Sequence, residues 1–309
     1  MHYTVKKRKG TSSHLHEEVE MPDRKLAIRS FYYEQEGTQG VFPLHWHEQI
    51  EFIYVRSGGM HVTCNNRSIT ARTGDLVVIN SNEYHRCDRT EAPLSLNCVI
   101  ADMSLLNSRF YDACEEKYIL PLFQNRILFQ NLISDDSRVT DHIRQIAKEN
   151  EFRETGYELA IKASLFNLLV NLFRRYITKI LTPREQEASN RNLQRISTII
   201  SHIESNFTDE ISIDKLSDTL CINKHYFCRL FKEYTGKTLT EYTHAIRIRE
   251  AVGLLKETDA SITEIAMKVG FNDVNYFTRV FKHHTNMTPS KLRNTGCMEK
   301  SRAMHEKGS

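Results

Sequence analysis

The 309-residue chain is 40% hydrophobic and 26% charged with a net charge of +3, an ordinary folded composition long enough for about two domains. That charge is too small to argue for nucleic acid by itself; only its local distribution can. No stretch approaches the roughly 18 consecutive apolar residues of a membrane span. Seven cysteines (64, 87, 98, 114, 221, 228 and 297) include no CxxC pair, which points to reduced thiols and away from a disulfide framework or zinc ribbon.

Residues 1–25 read as a basic and then polar tail. Its start, MHYTVKKRKGTSSHLHEE, has no apolar run behind the charges, so it is neither a secretory signal nor a membrane anchor. From 26 to 104, β-rich runs at 50–55, 60–64 and 76–79 are broken by SGG, NNR, TGD and NSNE, each a turn signal. Short, evenly spaced strands predict a barrel or sandwich. Asn65 and Asn66 tolerate positive φ and mark a tight hairpin. Ahead of these strands stands LHWHEQIE. Alternate side chains of an extended strand share a face, so His45, His47 and Glu51 fall together, with Trp46 on the opposite side. Two imidazoles and a carboxylate on one face suit a divalent transition metal. They also suit hydrogen bonding to a polar ligand.

The run H-x-H-x3-E-x6-G (His45, His47, Glu51, Gly58) resembles the first motif of the cupin family. A second motif is partly present. Gly74 stands at its start and His85 at the spacing of that family's fourth metal ligand, whereas Asn80 and Asn82 replace its proline and glycine and Arg89 its final asparagine. The resemblance implies a double-stranded β-helix barrel whose mouth holds His45, His47, Glu51 and His85 as an effector-binding set. Sensory cupins line such pockets without metal, so a metal-free pocket with no cofactor is the preferred reading. A divalent metal on the same four residues is the alternative.

The β signals stop near 104, and residues 105–181 read as a helical connector with helices around 105–120 and 139–152. In GYELAIKASLFNLLVNLFRRYI (156–177), Leu159, Ala163, Phe166, Val170, Phe173 and Ile177 form one stripe, and Leu165, Leu169 and Leu172 cover another face. A helix apolar on two sides needs two partners. One is the barrel; the other is a second subunit or the preceding helices, with a homodimer preferred. TPREQEASNR (182–191), polar and opened by Pro183, reads as an interdomain linker.

The second half repeats itself. SIDKLSDTLCINKHYFCRLFKEYTGKT (212–238) is echoed by SITEIAMKVGFNDVNYFTRVFKHHTNMT (261–288), at an offset of 49 residues that becomes 50 after one insertion. Each copy reads as helix, short turn, helix. Ser261 and Glu264 form a capping box, Gly270 permits the second turn while Cys221 stands in the first, and Asn223 and Asn272 are placed to cap the helices that follow. Those second helices divide into two faces. Phe227, Leu230, Phe231 and Tyr234 lie inward in one, and Phe277, Val280, Phe281 and His284 in the other. Outward lie His225, Cys228, Arg229 and Lys232, then Asn275, Thr278, Arg279 and Lys282. Such a face is commonly just solvated, but Arg, Asn and Thr on the second helix of a helix-turn-helix suit the major groove, where Arg reads guanine and Asn adenine.

These residues resemble the AraC family of bacterial transcription regulators, the second copy along the whole signature and the first over 211–242. The resemblance implies two helix-turn-helix subdomains joined by a long helix at about 239–256, occupying 192–295 and followed by a tail at 296–309. Carried over by position, the base-reading candidates are His225, Cys228, Arg229, Asn275, Thr278 and Arg279, with Lys232 and Lys282 placed for phosphate. The fold class expected is α+β: a cupin-like barrel, a helical connector and an all-α double helix-turn-helix domain. The function expected is a cytoplasmic transcription regulator, an activator, answering a small effector, a sugar. Its partners are operator DNA, RNA polymerase and a second copy of itself, with no membrane and no catalytic residue. A cupin metalloenzyme fused to a DNA-binding module is the alternative.

Overall fold

The computed structural model describes residues 15–23, 26–35, 42–106 and 112–294, and the chain divides into two units, residues 1–197 and 198–309. The predicted tail at 296–309 and most of that at 1–25 lie outside the described residues.

In the first unit, β1 (Ile28–Gln35), β2 (Phe42–His45), β3 (Ile50–Cys64), β4 (Arg67–Arg72), β5 (Leu76–Ile79) and β6 (His85–Ala101) are all antiparallel to their neighbours. The two long strands β3 and β6 pair along their whole length. The start of β3 and the end of β6 also bind β5 and β1; the end of β3 and the start of β6 bind β4 and β2. Two sheets thus share two strands and enclose one apolar interior, which includes Ile53, Val55, Met60, Val62, Val77, Leu96 and Cys98. This is the cupin-type barrel that the motif implies. One expectation needs correction: SGG does not end a strand. β3 passes through it as a bulge, where pairing with β6 slips in register between Val55 and Met60. Gly58 sits at φ +82°, and a Cβ there would lie 2.5 Å from the Pro93 carbonyl oxygen, so only glycine lets the strands approach this closely. At the 65–66 hairpin only Asn65 takes positive φ, at 51°.

The opposite face of the barrel sheet, with Ile28, Ile50, Phe52, Val78 and Val99, packs on helices. A helical turn at Met103–Leu106 and another at Glu115–Ile119 lead into the short α1 (Leu120–Phe123). Then come β7 (Ile127–Phe129), β8 (Leu132–Ile133), α2 (Ser137–Phe152), α3 (Tyr157–Arg175) and β9 (Ile177–Ile180), with β8 extending the barrel sheet and β7 pairing β9. Asp136 caps α2. It accepts from Arg138 N at 3.0 Å and from the Tyr176 hydroxyl at 2.7 Å, and the Arg138 guanidinium holds its carboxyl well below the usual range. The two stripes expected on α3 separate. Ile161, Leu165, Leu168, Leu169 and Leu172 are buried, whereas Leu159, Phe166 and Val170 remain exposed. Phe173 turns back to its own chain, edge-on to Tyr118 and Phe129 at 5.3 and 5.6 Å, and Ile177 belongs to β9.

The segment read as a polar linker is instead the start of α4 (Pro183–Asn206). The reason is a capping box that Pro183 obscured. Thr182 N donates to Glu185 Oε2 at 2.9 Å, Glu185 N donates back to Thr182 Oγ1 at 3.3 Å, and proline is at home in a first helical turn.

The second unit continues with α5 (Ile213–Thr219), α6 (Lys224–Thr235), α7 (Leu239–Glu257), α8 (Ile262–Lys268) and α9 (Val274–Thr285), so α5–α6 and α8–α9 are the two helix-turn-helix pairs and α7 joins them. Phe227 and Phe231 of α6, like Phe277 and Phe281 of α9, are essentially fully buried, each contributing roughly 1.5–3 kcal/mol. The turns differ as predicted: Gly270 takes φ +91° with a would-be Cβ 2.5 Å from the Thr208 carbonyl oxygen, and Cys221 holds φ 51° without being glycine. Two details change. Asn223 caps α6, but the one-residue insertion moves the second cap from Asn272 to Asp273, which accepts from Tyr276 N at 2.6 Å. His284, expected inward, is exposed.

Candidate functional site

His45 ends β2, His47 follows it, Glu51 lies on β3 and His85 opens β6. β2 and β6 pair His45 directly with His85, while β3 carries Glu51 inward on the same alternation as Ile53 and Val55. All four are buried, and one potential ligand atom from each lies within 4.8 Å of the others. His47 Nε2 and His85 Nε2 stand 3.4 and 3.3 Å from Glu51 Oε2, and the His45 and His85 rings are centred 4.0 Å apart.

The outer nitrogen of every ring is committed. His45 Nδ1 donates to the Pro43 carbonyl at 2.7 Å, His47 Nδ1 to that of Gln49 at 3.0 Å, and His85 Nδ1 to that of Glu83 at 2.9 Å. With each Nδ1 donating to a carbonyl, Nε2 is the nitrogen left facing the carboxylates, Glu51 for His47 and His85 and Glu17 for His45, and a bound cation would take the place of any proton there. Electrostatics follow from that crowding. Burial and the neighbouring His85 push His45 well below its ordinary pKa. Burial alone would raise Glu51, but the His47 and His85 rings beside its carboxylate override this and hold it far below the carboxylate range. Burial also works against a charged His85, and Glu51 more than offsets it, leaving that histidine raised. His85 Nε2 is sealed from solvent with no hydrogen bond of good geometry. Three soft-to-borderline nitrogens and one oxygen, oriented by backbone carbonyls, match the donor set and support expected around zinc, iron or manganese.

Glu17 was missed in the sequence. Leu15 and Glu17 bracket a short bridge of His16 to Trp46, with Trp46 N donating to Leu15 O and Glu17 N to Trp46 O, both at 2.8 Å. That places Glu17 Oε2 3.3 Å from His45 Nε2, at the edge of the cluster. The end of the predicted tail is therefore docked. The one signal available was the HLHEE run itself, whose short range gives no hint of where it lands. Trp46 faces away from the cluster as expected, half-buried against His16 at 4.4 Å between ring centroids.

On the helical unit, His225, Cys228, Arg229 and Lys232 of α6 are exposed on one face, opposite the buried phenylalanines. Asn275, Arg279 and Lys282 of α9 are likewise exposed and Thr278 half-buried, its hydroxyl donating to Val274 O at 2.9 Å. The repeat extends to side-chain posture: Arg229 lies over Tyr226 at 5.3 Å and Arg279 over Tyr276 at 5.1 Å. Stacking on a tyrosine one turn earlier stiffens a long side chain while leaving its donors free.

Comparison with known proteins agrees with both halves. A cupin domain model matches residues 32–100 and a helix-turn-helix domain model residues 216–295. The chain is 25% identical over 265 residues to the uncharacterized HTH-type transcriptional regulator YdeC of Bacillus subtilis, covering 82% of this chain and 87% of that one. It is 26% identical over 266 residues to the HTH-type transcriptional activator RhaS of Shigella sonnei, covering 82% and 88%. Among solved structures, ToxT from Vibrio cholerae aligns over 86% of this chain and 98% of its own, at 18% identity and a TM-score of 0.41. Two matched domains in this order, and relatives aligned across most of the chain, mark a DNA-binding transcription regulator with an N-terminal cupin domain and a C-terminal helix-turn-helix domain, similar to the AraC family.

Proposed function

We propose that the protein is a cytoplasmic transcription activator whose barrel holds a divalent transition metal and binds a sugar there. The convergence of one potential ligand atom from each of the four residues, with every histidine ring oriented by a backbone carbonyl on its Nδ1 side, carries the metal reading and favours it over the metal-free pocket that the sequence suggests. His45, His47, Glu51 and His85 would hold the ion, which supplies a Lewis-acidic point for an oxygen of the effector. His225, Cys228, Arg229, Asn275, Thr278 and Arg279 read bases, and Lys232 and Lys282 meet phosphate. The activator role is supported by the activator among its relatives. Contact with RNA polymerase follows from that role.

A homodimer forms through the exposed Leu159, Phe166 and Val170 stripe of α3, since an apolar face left uncovered favours a partner. In this reading residues 26–104 are the effector domain, 105–181 the dimerisation segment and 192–295 the DNA-binding domain. Elemental analysis of purified full-length protein tests the central claim. About one iron, zinc or manganese ion per chain is expected; a metal-free protein whose stability no divalent cation raises would reject it. The same four donors also favour a second reading, a cupin metalloenzyme fused to a DNA-binding module. Turnover of a sugar by the metal-loaded protein would establish that instead.

A further inference from the structure

Arg89 stands where the cupin-like motif has an asparagine, and it occupies a place where an arginine is hard to accommodate. Along β6 it follows His85 and Cys87 on the inward alternation, with Met60 of β3 as its register partner. Met60 and Cys87 are fully buried, and nearby Tyr33 packs its ring against Phe42 at 5.1 Å between centroids. Arg89 Nη1 is sealed from solvent without a hydrogen-bond partner. Among the described residues no carboxylate pairs with its guanidinium. Its charge does reach Tyr33: burial pushes that phenol up and Arg89 pulls it partly back. The residue as a whole is only half-buried, so Arg89 joins the sealed interior at Nη1 to the surface. A guanidinium keeps its charge when desolvated, and leaving it unpaired against an apolar wall is strongly unfavourable. A folded protein holds such a group in place when a ligand completes it.

We propose that Arg89 is the anion-binding end of the effector pocket and that the effector is a sugar acid, gripped by its carboxylate at Arg89 while its hydroxyl oxygens face the His45–His47–Glu51–His85 cluster. This rests on the reading of the barrel interior as the effector site and narrows the sugar to an acidic one. A carboxylate meets the planar fork of a guanidinium through two parallel hydrogen bonds, which a neutral sugar cannot copy. His85 and Arg89 are four residues apart on one strand. That separation is roughly 13 Å, shortened by the side chains at both ends, and suits a chain of about six carbons.

The test uses full-length protein with its metal content measured, titrated calorimetrically with D-gluconate and D-galacturonate and with their neutral counterparts D-glucitol and D-galactose. The wild type should bind at least one acid more than tenfold tighter than its neutral counterpart. Arg89→Met should abolish that preference, keep its metal and melt no lower than wild type without ligand, because it removes an unpaired cation. Should Arg89→Met fail to fold, Arg89→Gln is read the same way. Equal binding of acids and neutral sugars by the wild type, binding of neither, or a preference for acid that survives both substitutions would overturn the proposal. Metal loss with the acid preference intact would instead break the metal reading and leave Arg89 in its role. Neutral sugar bound at full metal occupancy and indifferent to Arg89 would do the reverse.

Discussion

In the barrel, four side chains from β2, the loop after it, β3 and β6 converge at positions between 1% and 6% exposed. On the helical unit, the candidate contacts of α6 lie within eight residues of one helix, on a face left open, and α9 repeats them fifty residues on. The contrast follows from what each must hold. A small ion or molecule has to be surrounded, so its donors come from distant parts of the chain and lose water. A duplex has to be reached into, so the readers project together from one rigid element. One site is made by tertiary closure, the other by helical periodicity, and they should fail differently.

The largest effect expected breaks the barrel alone. His45→Ala with His85→Ala should abolish metal binding in elemental analysis while affinity for operator DNA stays within about twofold, since the two units divide at residue 197. A parallel collapse of DNA binding would mean that the metal is a structural requirement of the whole chain. The mirror experiment is Gly270→Val. Its Cβ would stand 2.5 Å from the Thr208 carbonyl oxygen, in a segment that Arg247 also clamps by donating to the Phe207 and Asp209 carbonyls at 2.6 and 2.8 Å. Positive φ and that clash together should destabilise the second helix pair by at least about 3 kcal/mol in denaturant melts. DNA binding should then fall with the metal content unchanged.

Smaller changes sharpen the reading of the helical face. Arg279→Ala should lose roughly 1–3 kcal/mol of discrimination at one or two base pairs, and Arg229→Ala should do so about one helical turn of DNA away. Lys282→Ala should weaken all sequences alike and reduce the salt slope by about one. Selection on randomised DNA decides: unchanged base preference in both arginine variants would show that they only position the protein. On the barrel side, the depressed Asp136 carboxyl contributes stability present above about pH 4 and lost as pH falls below it, because the unfolded chain takes up a proton that the folded cap resists. Asp136→Asn should therefore flatten the acid limb of a thermal-stability profile; an unaltered limb would dissociate the cap from acid sensitivity. Smallest of all, Cys221→Gly should stabilise the first turn by about 1 kcal/mol, since Cys221 already occupies the left-handed region at φ 51°. A destabilised variant would show that the thiol has a packing role there.

Legibility followed the same division. The repeat and both faces of α6 and α9 could be read directly, because a helix keeps its functional residues close in sequence. Where that reading slipped, at Asn272 and His284, the error was a single residue or a last turn. The barrel donors were legible as a motif, but their chemistry was not. Nothing in LHWHEQIE states that each Nδ1 is taken by a backbone carbonyl, and that is what points the other nitrogens inward. Glu17 reaches His45 through a docking no local pattern encodes, and the bulge at Gly58 looked like a turn because glycine serves both. The start of α4 was legible after all in Thr182 and Glu185, spaced as a capping box.

Trp46 is the chain's one tryptophan, and it shares a backbone with the motif: His45 and His47 on one side of the strand, the indole on the other, resting on His16. Its fluorescence therefore reports on this single place and no other. Closure or release of the Leu15–Glu17 segment changes the indole's surroundings directly, and a paramagnetic ion between the histidines would quench its emission. The wild-type protein carries its own optical gauge of occupancy, readable without a label and with the DNA-binding unit silent.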